Sequence, residues 1–215
     1  MNPAPSPPPA WATTPLLIII SAPSGGGKTT LCQQLLARHP EMTRAVTCTT
    51  RRPREGEIEG RDYYFIDEEE FERRVQEGSF LEHAIVYGQS YGTPKPQVLD
   101  KLRQGRDVLL NIDVQGAATI CARAAADADL SHALVTVFLT PATLRELEER
   151  LRRRATDTAA QLEKRLATAR HEIEHWTKFQ YLILSTTIAE DLRRMESIID
   201  AERMRQGRGK FTIGD

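Results

Sequence analysis

One stretch of the chain restricts its possible folds more than any other: an apolar run at residues 16–21 leads directly into a glycine-rich turn and then into a helix. The turn reads Ala22-Pro23-Ser24-Gly25-Gly26-Gly27-Lys28-Thr29-Thr30. A continuous apolar run, unlike an alternating one, is typical of a strand buried on both faces, and such strands occur in parallel sheets covered by helices. The stretch therefore predicts an α/β fold in which the turn between the first strand and the first helix binds phosphate.

The rest of the chain repeats this alternation of strand and helix. Similar apolar runs lie at 108–112, 133–139 and 181–184, and segments with helical spacing lie at 28–38, 114–125, 141–152, 159–176 and 189–205. Thr140 followed by Pro141 predicts the beginning of one of these helices, because threonine is a favourable N-cap and proline suits the first helical position. We expect a three-layer sandwich with a mainly parallel five-stranded core sheet.

Residues 61–92 interrupt the alternation. Strand-like segments at 63–66 and 80–87 flank a short acidic helix at 67–76. This pattern predicts an inserted lobe of mixed α+β structure.

Composition excludes several classes of partner. Lys and Arg total 29 against 30 for Asp and Glu, so no global basic field would attract nucleic acid or an anionic membrane. The longest apolar run is too short to span a bilayer. Cys32, Cys48 and Cys121 lie too far apart in sequence to suggest a disulfide framework, which favours a reducing, cytoplasmic location. Residues 1–15 hold six of the twelve prolines, which predicts a disordered tail.

The glycine-rich turn has the residues that a nucleotide triphosphate requires. Its glycines let the backbone approach phosphate oxygens, and we expect all of residues 22–30 to contact ATP. Lys28 would reach the β- and γ-phosphates, and the Thr29 hydroxyl would ligate Mg²⁺. The turn departs from the usual G-x-x-x-x-G-K-[ST] pattern at its first position, where Ala22 replaces glycine.

The segment after this turn, Thr47-Cys48-Thr49-Thr50-Arg51-Arg52-Pro53-Arg54-Glu55-Gly56-Glu57, resembles the signature of guanylate kinases. The resemblance continues through residues 60–63, 80–82, 91–93 and 112–116, and covers the chain from Leu16 to about Arg205. It implies ATP-dependent phosphorylation of GMP to GDP, and of dGMP to dGDP. It also implies a core at 16–50 and 94–205, a GMP-binding lobe at about 51–93, a helical lid at about 150–165 and a flexible tail at 206–215.

The resemblance assigns roles in the acceptor site. It implies that Arg51, Arg54, Tyr63 and Tyr91 hold the GMP phosphate, and that Thr47, Glu82, Thr93 and Asp113 bind the base. Guanine presents its N1–H and exocyclic amine as adjacent donors, which one carboxylate can accept together. Adenine has an acceptor at N1, which a carboxylate would repel.

The resemblance also assigns the catalytic cations, which are Lys28, Arg51 and the lid arginines Arg150, Arg154 and Arg165. Charge that develops on the transferred phosphoryl group must be met by fixed positive groups, with Mg²⁺ as the accompanying cation. The acceptor phosphate is itself a nucleophile near neutral pH, because its second pKa is about 6. No general base is therefore expected.

Several positions depart from the family pattern. Asn111 stands where relatives commonly have aspartate, and Arg153 and Ala155 stand where they usually have glycine. Residues 184–187 read Leu-Ser-Thr-Thr where the family often has a Val-Asn-Asp-Asp-like turn near the ATP base.

Three other functions fit parts of the sequence. Residues 171–175 match H-E-x-x-H, the helical motif of zinc proteases, with Glu172 as a base. Domains that resemble guanylate kinases also include non-catalytic protein-binding modules, although these typically lack the phosphate-loop lysine or the lid arginines. A phosphate-loop kinase with another acceptor is the third. We expect a monomer or a small homo-oligomer that binds neither nucleic acid nor membrane.

Overall fold

The computed structural model describes residues 11–86, 88–153 and 159–211. The strands in these ranges are β1 (Trp11–Thr13), β2 (Leu17–Ser21), β3 (Thr43–Arg44), β4 (Cys48–Thr49), β5 (Tyr64–Phe65), β6 (Phe80–Val86), β7 (Gln89–Pro94), β8 (Val108–Asn111), β9 (Leu134–Pro141), β10 (Tyr181–Ser185) and β11 (Gly209–Phe211). The helices are α1 (Lys28–Arg38), α2 (Glu68–Gln76), α3 (Lys95–Arg103), α4 (Val114–Ala124), α5 (Ala128–Ala133), α6 (Leu144–Arg153), α7 (Ala159–Glu174) and α8 (Ile188–Met204), and a 3₁₀ turn follows α7 at His175–Lys178.

The core sheet has β2 at its centre. Among the described residues, five strands lie side by side in the order β10-β9-β2-β8-β3, and all of them run parallel. Every residue of β2 is buried. Ile18 and Ile20 pack on one face with residues of α1 and α8, whereas Leu17 and Ile19 pack on the other face with residues of α3 and α4. Burial of each such side chain stabilises the fold by about 1.5–3 kcal/mol, and the two helical layers confirm the predicted three-layer α/β architecture.

A second, smaller sheet has the strand order β5-β4-β7-β6. It is mixed, because β4 and β5 run parallel and the other pairs run antiparallel. Helix α2 covers it through Phe71, whose ring centroid lies 4.8 Å from that of Phe80. Asp67 caps α2 by accepting a hydrogen bond from the Glu70 amide at 2.8 Å. The predicted mixed α+β insertion is therefore present in the fold.

The helix predicted to begin at Pro141 begins later. Strand β9 continues through Pro141, paired in register with Ser185 of β10, and Thr140 is buried within the strand. Thr143 supplies the cap instead, accepting a hydrogen bond from the Glu146 amide at 3.2 Å. Thr140 is therefore not the N-cap, because strand pairing extends past the local helix-start signal.

The chain ends also differ from the expected tails. Strands β1 and β11, which lie in the segments predicted to be disordered or flexible, pair antiparallel with Trp11 opposite Phe211. The adjoining Arg208 is buried and ion-paired to the buried Glu202 at 3.0 Å, and it donates to the Leu134 carbonyl at 2.9 Å. These contacts attach residues 11–15 and 206–211 to the core. Residues 1–10 and 212–215 lie outside the described ranges.

No helix in the described ranges is both long enough and apolar enough to cross a membrane.

Candidate active site

A cavity of about 650 Å³ lies between the core sheet and the smaller sheet. It brings together residues predicted for both substrates. The predicted residues that line it are Ser24, Lys28, Thr29, Thr47, Arg54, Tyr63, Glu82, Tyr91, Asp113 and Arg165. A smaller adjacent cavity, of about 190 Å³, is lined by residues 22–29 together with Asp113 and Glu172. Of the other predicted residues that the structure describes, Thr30, Arg51, Thr93 and Arg150 line neither cavity.

The phosphate loop joins β2 to α1, which begins at Lys28 as predicted. Ala22 is buried in the core beside the loop. A Cβ atom at Gly26 would lie 2.9 Å from the Cβ atom of Ala22 and 3.0 Å from the carbonyl oxygen of Pro23, so a side chain at position 26 would collide with them. The loop thus accommodates the methyl group at its first position because position 26 has none.

Lys28 lies where the two cavities meet. Its Nζ donates to the carbonyl oxygen of Ile112, at the end of β8, at 2.9 Å. Burial lowers the pKa of Lys28, and the nearby Asp113 carboxylate opposes this shift. The ammonium group is therefore held in a poorly solvated position, where an added phosphate would interact with it strongly.

The predicted base-binding carboxylates lie on adjacent elements, Glu82 on β6 and Asp113 at the N-cap of α4. Thr93 does not line the cavity but donates to Glu82 Oε1 at 2.5 Å, which fixes the carboxylate from behind. Asp113 Oδ1 accepts from the Gly116 amide at 2.8 Å. Burial raises the pKa of Glu82 to about 7, with a smaller contribution from Asp113.

The predicted phosphate-binding residues of the smaller lobe are organised by Glu57, which no sequence pattern singles out. Arg51 Nη2 donates to both oxygens of Glu57, at 2.8 and 3.0 Å, and the Arg54 amide donates to Glu57 Oε2 at 2.7 Å. These hydrogen bonds lower the pKa of Glu57. The Arg51 guanidinium carbon also lies 5.4 Å from the Tyr63 ring centroid, and that ring lies 6.1 Å from the Tyr91 ring. Arg54, Tyr63 and Tyr91 line the larger cavity. Arg51 does not, and its guanidinium is instead hydrogen-bonded to Glu57.

The predicted lid arginines occupy different places. Arg165, on α7, lines the larger cavity. Arg150, on α6, lies beside the phosphate loop and donates from Nη1 to Ser185 Oγ at 3.0 Å. Arg154 and Ala155 lie outside the described residues, and Arg153 is exposed at the end of α6.

Glu172 belongs to the surroundings of the phosphate loop. Its Oε2 accepts a hydrogen bond from the Ser24 amide at 3.2 Å. Burial raises its pKa, and Lys28 opposes this shift. His171 and His175 form an edge-to-face ring pair with centroids 5.0 Å apart, and no cluster of three or more His, Cys, Asp or Glu suited to a metal ion occurs among the described residues. The glutamate of the H-E-x-x-H motif, Glu172, is thus hydrogen-bonded to the phosphate loop. Neither spacing nor composition signals this contact, because it joins residues 148 positions apart.

Comparison with known proteins agrees with this geometry. The family model described as guanylate kinase matches residues 14–202. The guanylate kinase of Maricaulis maris is 42% identical over 179 residues, which cover 83% of this chain and 79% of that protein. The guanylate kinase of Clostridium tetani is 41% identical over 186 residues, which cover 86% of each. The crystal structure of guanylate kinase from Anaplasma phagocytophilum superposes with a TM-score of 0.75 at 33% identity, covering 93% of this chain and 92% of that one. The chain belongs to the guanylate kinase family.

Proposed function

We propose that this protein transfers the γ-phosphoryl group of ATP to GMP, producing ADP and GDP, and to dGMP, producing ADP and dGDP. One observation carries the proposal: the lysine of a phosphate loop and a buried carboxylate suited to guanine line the same cavity. Lys28 approaches it from the core sheet and Glu82 from the smaller sheet. This arrangement can bring a donor phosphate and an acceptor nucleotide together.

The acceptor half of the site suits GMP. The Glu82 carboxylate can accept the N1–H and amine of guanine, and Asp113 and the Thr47 hydroxyl provide further polar groups in the same cavity. Arg54, Tyr63 and Tyr91 are the cavity's donors toward the GMP phosphate, with Arg51 behind them. A buried polar site of this kind rejects a base that leaves its groups without partners.

The donor half of the site suits a nucleotide triphosphate. Residues 22–30 wrap the phosphates, and Lys28 exchanges its bond to the Ile112 carbonyl for a phosphate oxygen. The exposed Thr29 hydroxyl and the Asn111 amide line the larger cavity beside Lys28, and such neutral oxygen ligands suit Mg²⁺. Thr29 would hold the ion, which supplies neutralisation of phosphate charge.

Catalysis requires alignment and charge neutralisation from the chain. The acceptor phosphate is largely ionised at neutral pH, so the residues need not remove a proton. Lys28 and the arginines Arg51, Arg150, Arg154 and Arg165 would stabilise the charge on the phosphoryl group as it moves. We assign the enzyme to purine nucleotide metabolism in the cytoplasm. The described cysteines Cys32, Cys48 and Cys121 form no disulfide, which supports a reducing compartment.

A coupled assay of ADP release with ATP and Mg²⁺ tests the proposal across GMP, AMP, CMP and UMP. We expect kcat/KM for GMP to exceed that for AMP by about 10⁴-fold, because adenine would leave buried acceptors of the site without donors. Lys28→Ala should remove most turnover while GMP binding persists. A protein that uses AMP as well as GMP, or a Lys28→Ala variant with near-normal kcat, would contradict the assignment.

A further inference from the structure

A buried hydroxyl and carboxylate lie together at the end of β10 and the beginning of α8, in and beside the segment 184–187 that the family resemblance places near the ATP base. Ser185 is 3% exposed and Asp191 is 4% exposed. The Ser185 hydroxyl donates to Asp191 Oδ2 at 2.7 Å, and the Thr186 amide donates to Asp191 Oδ1 at 3.0 Å. Each carboxylate oxygen therefore has a donor, and the Ser185 hydrogen points toward Asp191.

The same hydroxyl oxygen accepts a hydrogen bond from the guanidinium of Arg150. Arg150 Nη1 donates to Ser185 Oγ at 3.0 Å. Because a hydroxyl has one hydrogen and that hydrogen is directed at Asp191, its lone pairs face the arginine. A hydrogen-bonded chain thus runs from α6 through β10 to α8, with a cation at one end and an anion at the other.

Arg150 lies directly against the phosphate loop. Its Nη1 would be 3.9 Å from a Cβ atom placed on Gly27. On the same helix, Leu151 and Leu147 pack against Gly25, where a Cβ atom would lie 2.9 Å from Leu151 Cδ2. The helix is therefore seated on the loop, and Ser185 fixes where the guanidinium stands beside it.

The serine between the two charged groups has a chemical consequence. A direct Arg150–Asp191 pair would commit two guanidinium donors to the carboxylate and neutralise the cation locally. Through Ser185, the arginine is oriented by a single donor out of five. The Arg150 guanidinium is thereby oriented, and its remaining donors stay available for a phosphate.

We propose that Ser185 and Asp191 are positioning residues that hold Arg150 beside the phosphate loop, where its guanidinium binds the donor phosphates. This inference rests on the proposed function. It also accounts for Ser185 at a position where guanylate kinases often have asparagine, because in this chain the serine hydroxyl links a cation to an internal carboxylate.

A double-mutant cycle of Ser185→Ala and Arg150→Ala, with Ser185→Thr added, tests the proposal. We expect Ser185→Ala to lower kcat/KM for ATP about tenfold through loss of a charge-assisted hydrogen bond, with KM for GMP within about twofold of the unaltered protein. Ser185→Thr, which keeps the hydroxyl, should recover most of the loss. In the Arg150→Ala background, Ser185→Ala should have almost no further effect. Ser197→Ala, at an exposed hydroxyl of α8, is the matched control.

Additive effects in the cycle would overturn the positioning role, as would a Ser185→Ala variant whose melting temperature falls while kcat/KM for ATP stays unchanged. Calorimetric titration of the same variants with ATP gives a second cycle that needs no turnover. If the unaltered protein fails to phosphorylate GMP, the proposed function is wrong, and the ATP-binding cycle still decides whether Ser185 acts through Arg150. Asp191→Asn should lower both kcat/KM for ATP and ATP affinity, as Ser185→Ala does.

Discussion

At the scale of single residues, Glu82 combines two requirements that oppose each other. Its proposed role in discriminating between bases requires burial, yet burial raises its pKa to about 7 and so favours the protonated form. The Thr93 hydrogen bond and the more distant Arg123 act in the opposite direction, but the net shift is upward. The protonated acid offers a donor where guanine also offers donors, so only the ionised form fits the base.

This charge state makes acceptor use dependent on pH. Between pH 6 and pH 8 the ionised fraction of a group with a pKa near 7 rises about tenfold. We therefore expect kcat/KM for GMP to rise about tenfold over this interval, whereas kcat at saturating GMP should change less, because bound guanine stabilises the carboxylate. Initial rates measured from pH 5.5 to 8.5 give both profiles.

Glu82→Gln supplies the control, because it retains the titration of the GMP phosphate and removes that of the carboxyl group. Its kcat/KM for GMP should be low and should lose the step near pH 7. Identical pH profiles for the two proteins would mean that Glu82 does not govern acceptor binding.

At the scale of elements, the space around Glu82, the proposed base-binding group, depends on how closely α4 approaches β6. A Cβ atom at Gly116, in the first turn of α4, would lie 2.6 Å from Glu82 Oε2. The carboxylate cannot easily move away, because Glu82 is 2% exposed and is hydrogen-bonded to Thr93. The glycine therefore provides space for the acidic side chain.

Gly116→Ala should raise KM for GMP by at least about tenfold and leave KM for ATP nearly unchanged. Alanine favours the helix by about 1 kcal/mol over glycine, so a loss of GMP affinity would not reflect a weaker α4. Steady-state kinetics with each substrate varied separately measures the effect, and Gln115→Ala, at the exposed neighbouring position, is the control. Unchanged KM for GMP would show that α4 and β6 can separate without harm to the base site.

Elements with strong local signals were predictable from the sequence. Helix α1 follows from the glycine turn and from apolar spacing, and it was predicted with its observed bounds. Strand β3 was missed because it has two residues and is defined by its pairing with β8, far away in sequence. Helices α3 and α5, which have nine and six residues, were also not predicted. Short elements depend on tertiary packing more than on propensity.

The candidate site shows the same division. Family resemblance predicted Lys28, Glu82 and Asp113 as site residues, and the three line one cavity. It did not indicate Glu57 or Glu172, whose roles come from hydrogen bonds to other residues and not from direct access to a nucleotide. Such supporting residues have no spacing rule, because their partners are set by the folded chain.

At the scale of the whole molecule, α7 connects the two halves of the site. Arg165 lines the larger cavity, and Glu172, seven residues later, accepts from the phosphate-loop amide of Ser24. Residues seven apart lie on the same face of a helix. A displacement of α7 would therefore move both groups together, and we expect it to couple occupancy of the phosphate loop to occupancy of the larger cavity.

Glu172→Ala should weaken this coupling. In the unaltered protein we expect a non-hydrolysable ATP analogue to tighten GMP binding by about 5-fold or more, with the same factor for GMP acting on the analogue. Without the carboxylate the factor should approach one. Calorimetric titration with and without the second ligand measures it, and Glu174→Ala, at an exposed side chain of the same helix, is the control. An unaltered factor in Glu172→Ala would exclude α7 as the connection.

The pairing of β1 with β11 has a mechanical consequence. Trp11 lies opposite Phe211 and Thr13 opposite Gly209, so the outer ends of both strands emerge at the same end of the ribbon. Force applied at Trp11 and Phe211 would break the backbone hydrogen bonds of this ribbon one after another and not all at once. The first strong resistance would come at Arg208, whose buried ion pair with Glu202 anchors the ribbon. The force needed to separate β1 from β11 should therefore be low, and the two strands should separate before the core sheet that carries the phosphate loop is loaded.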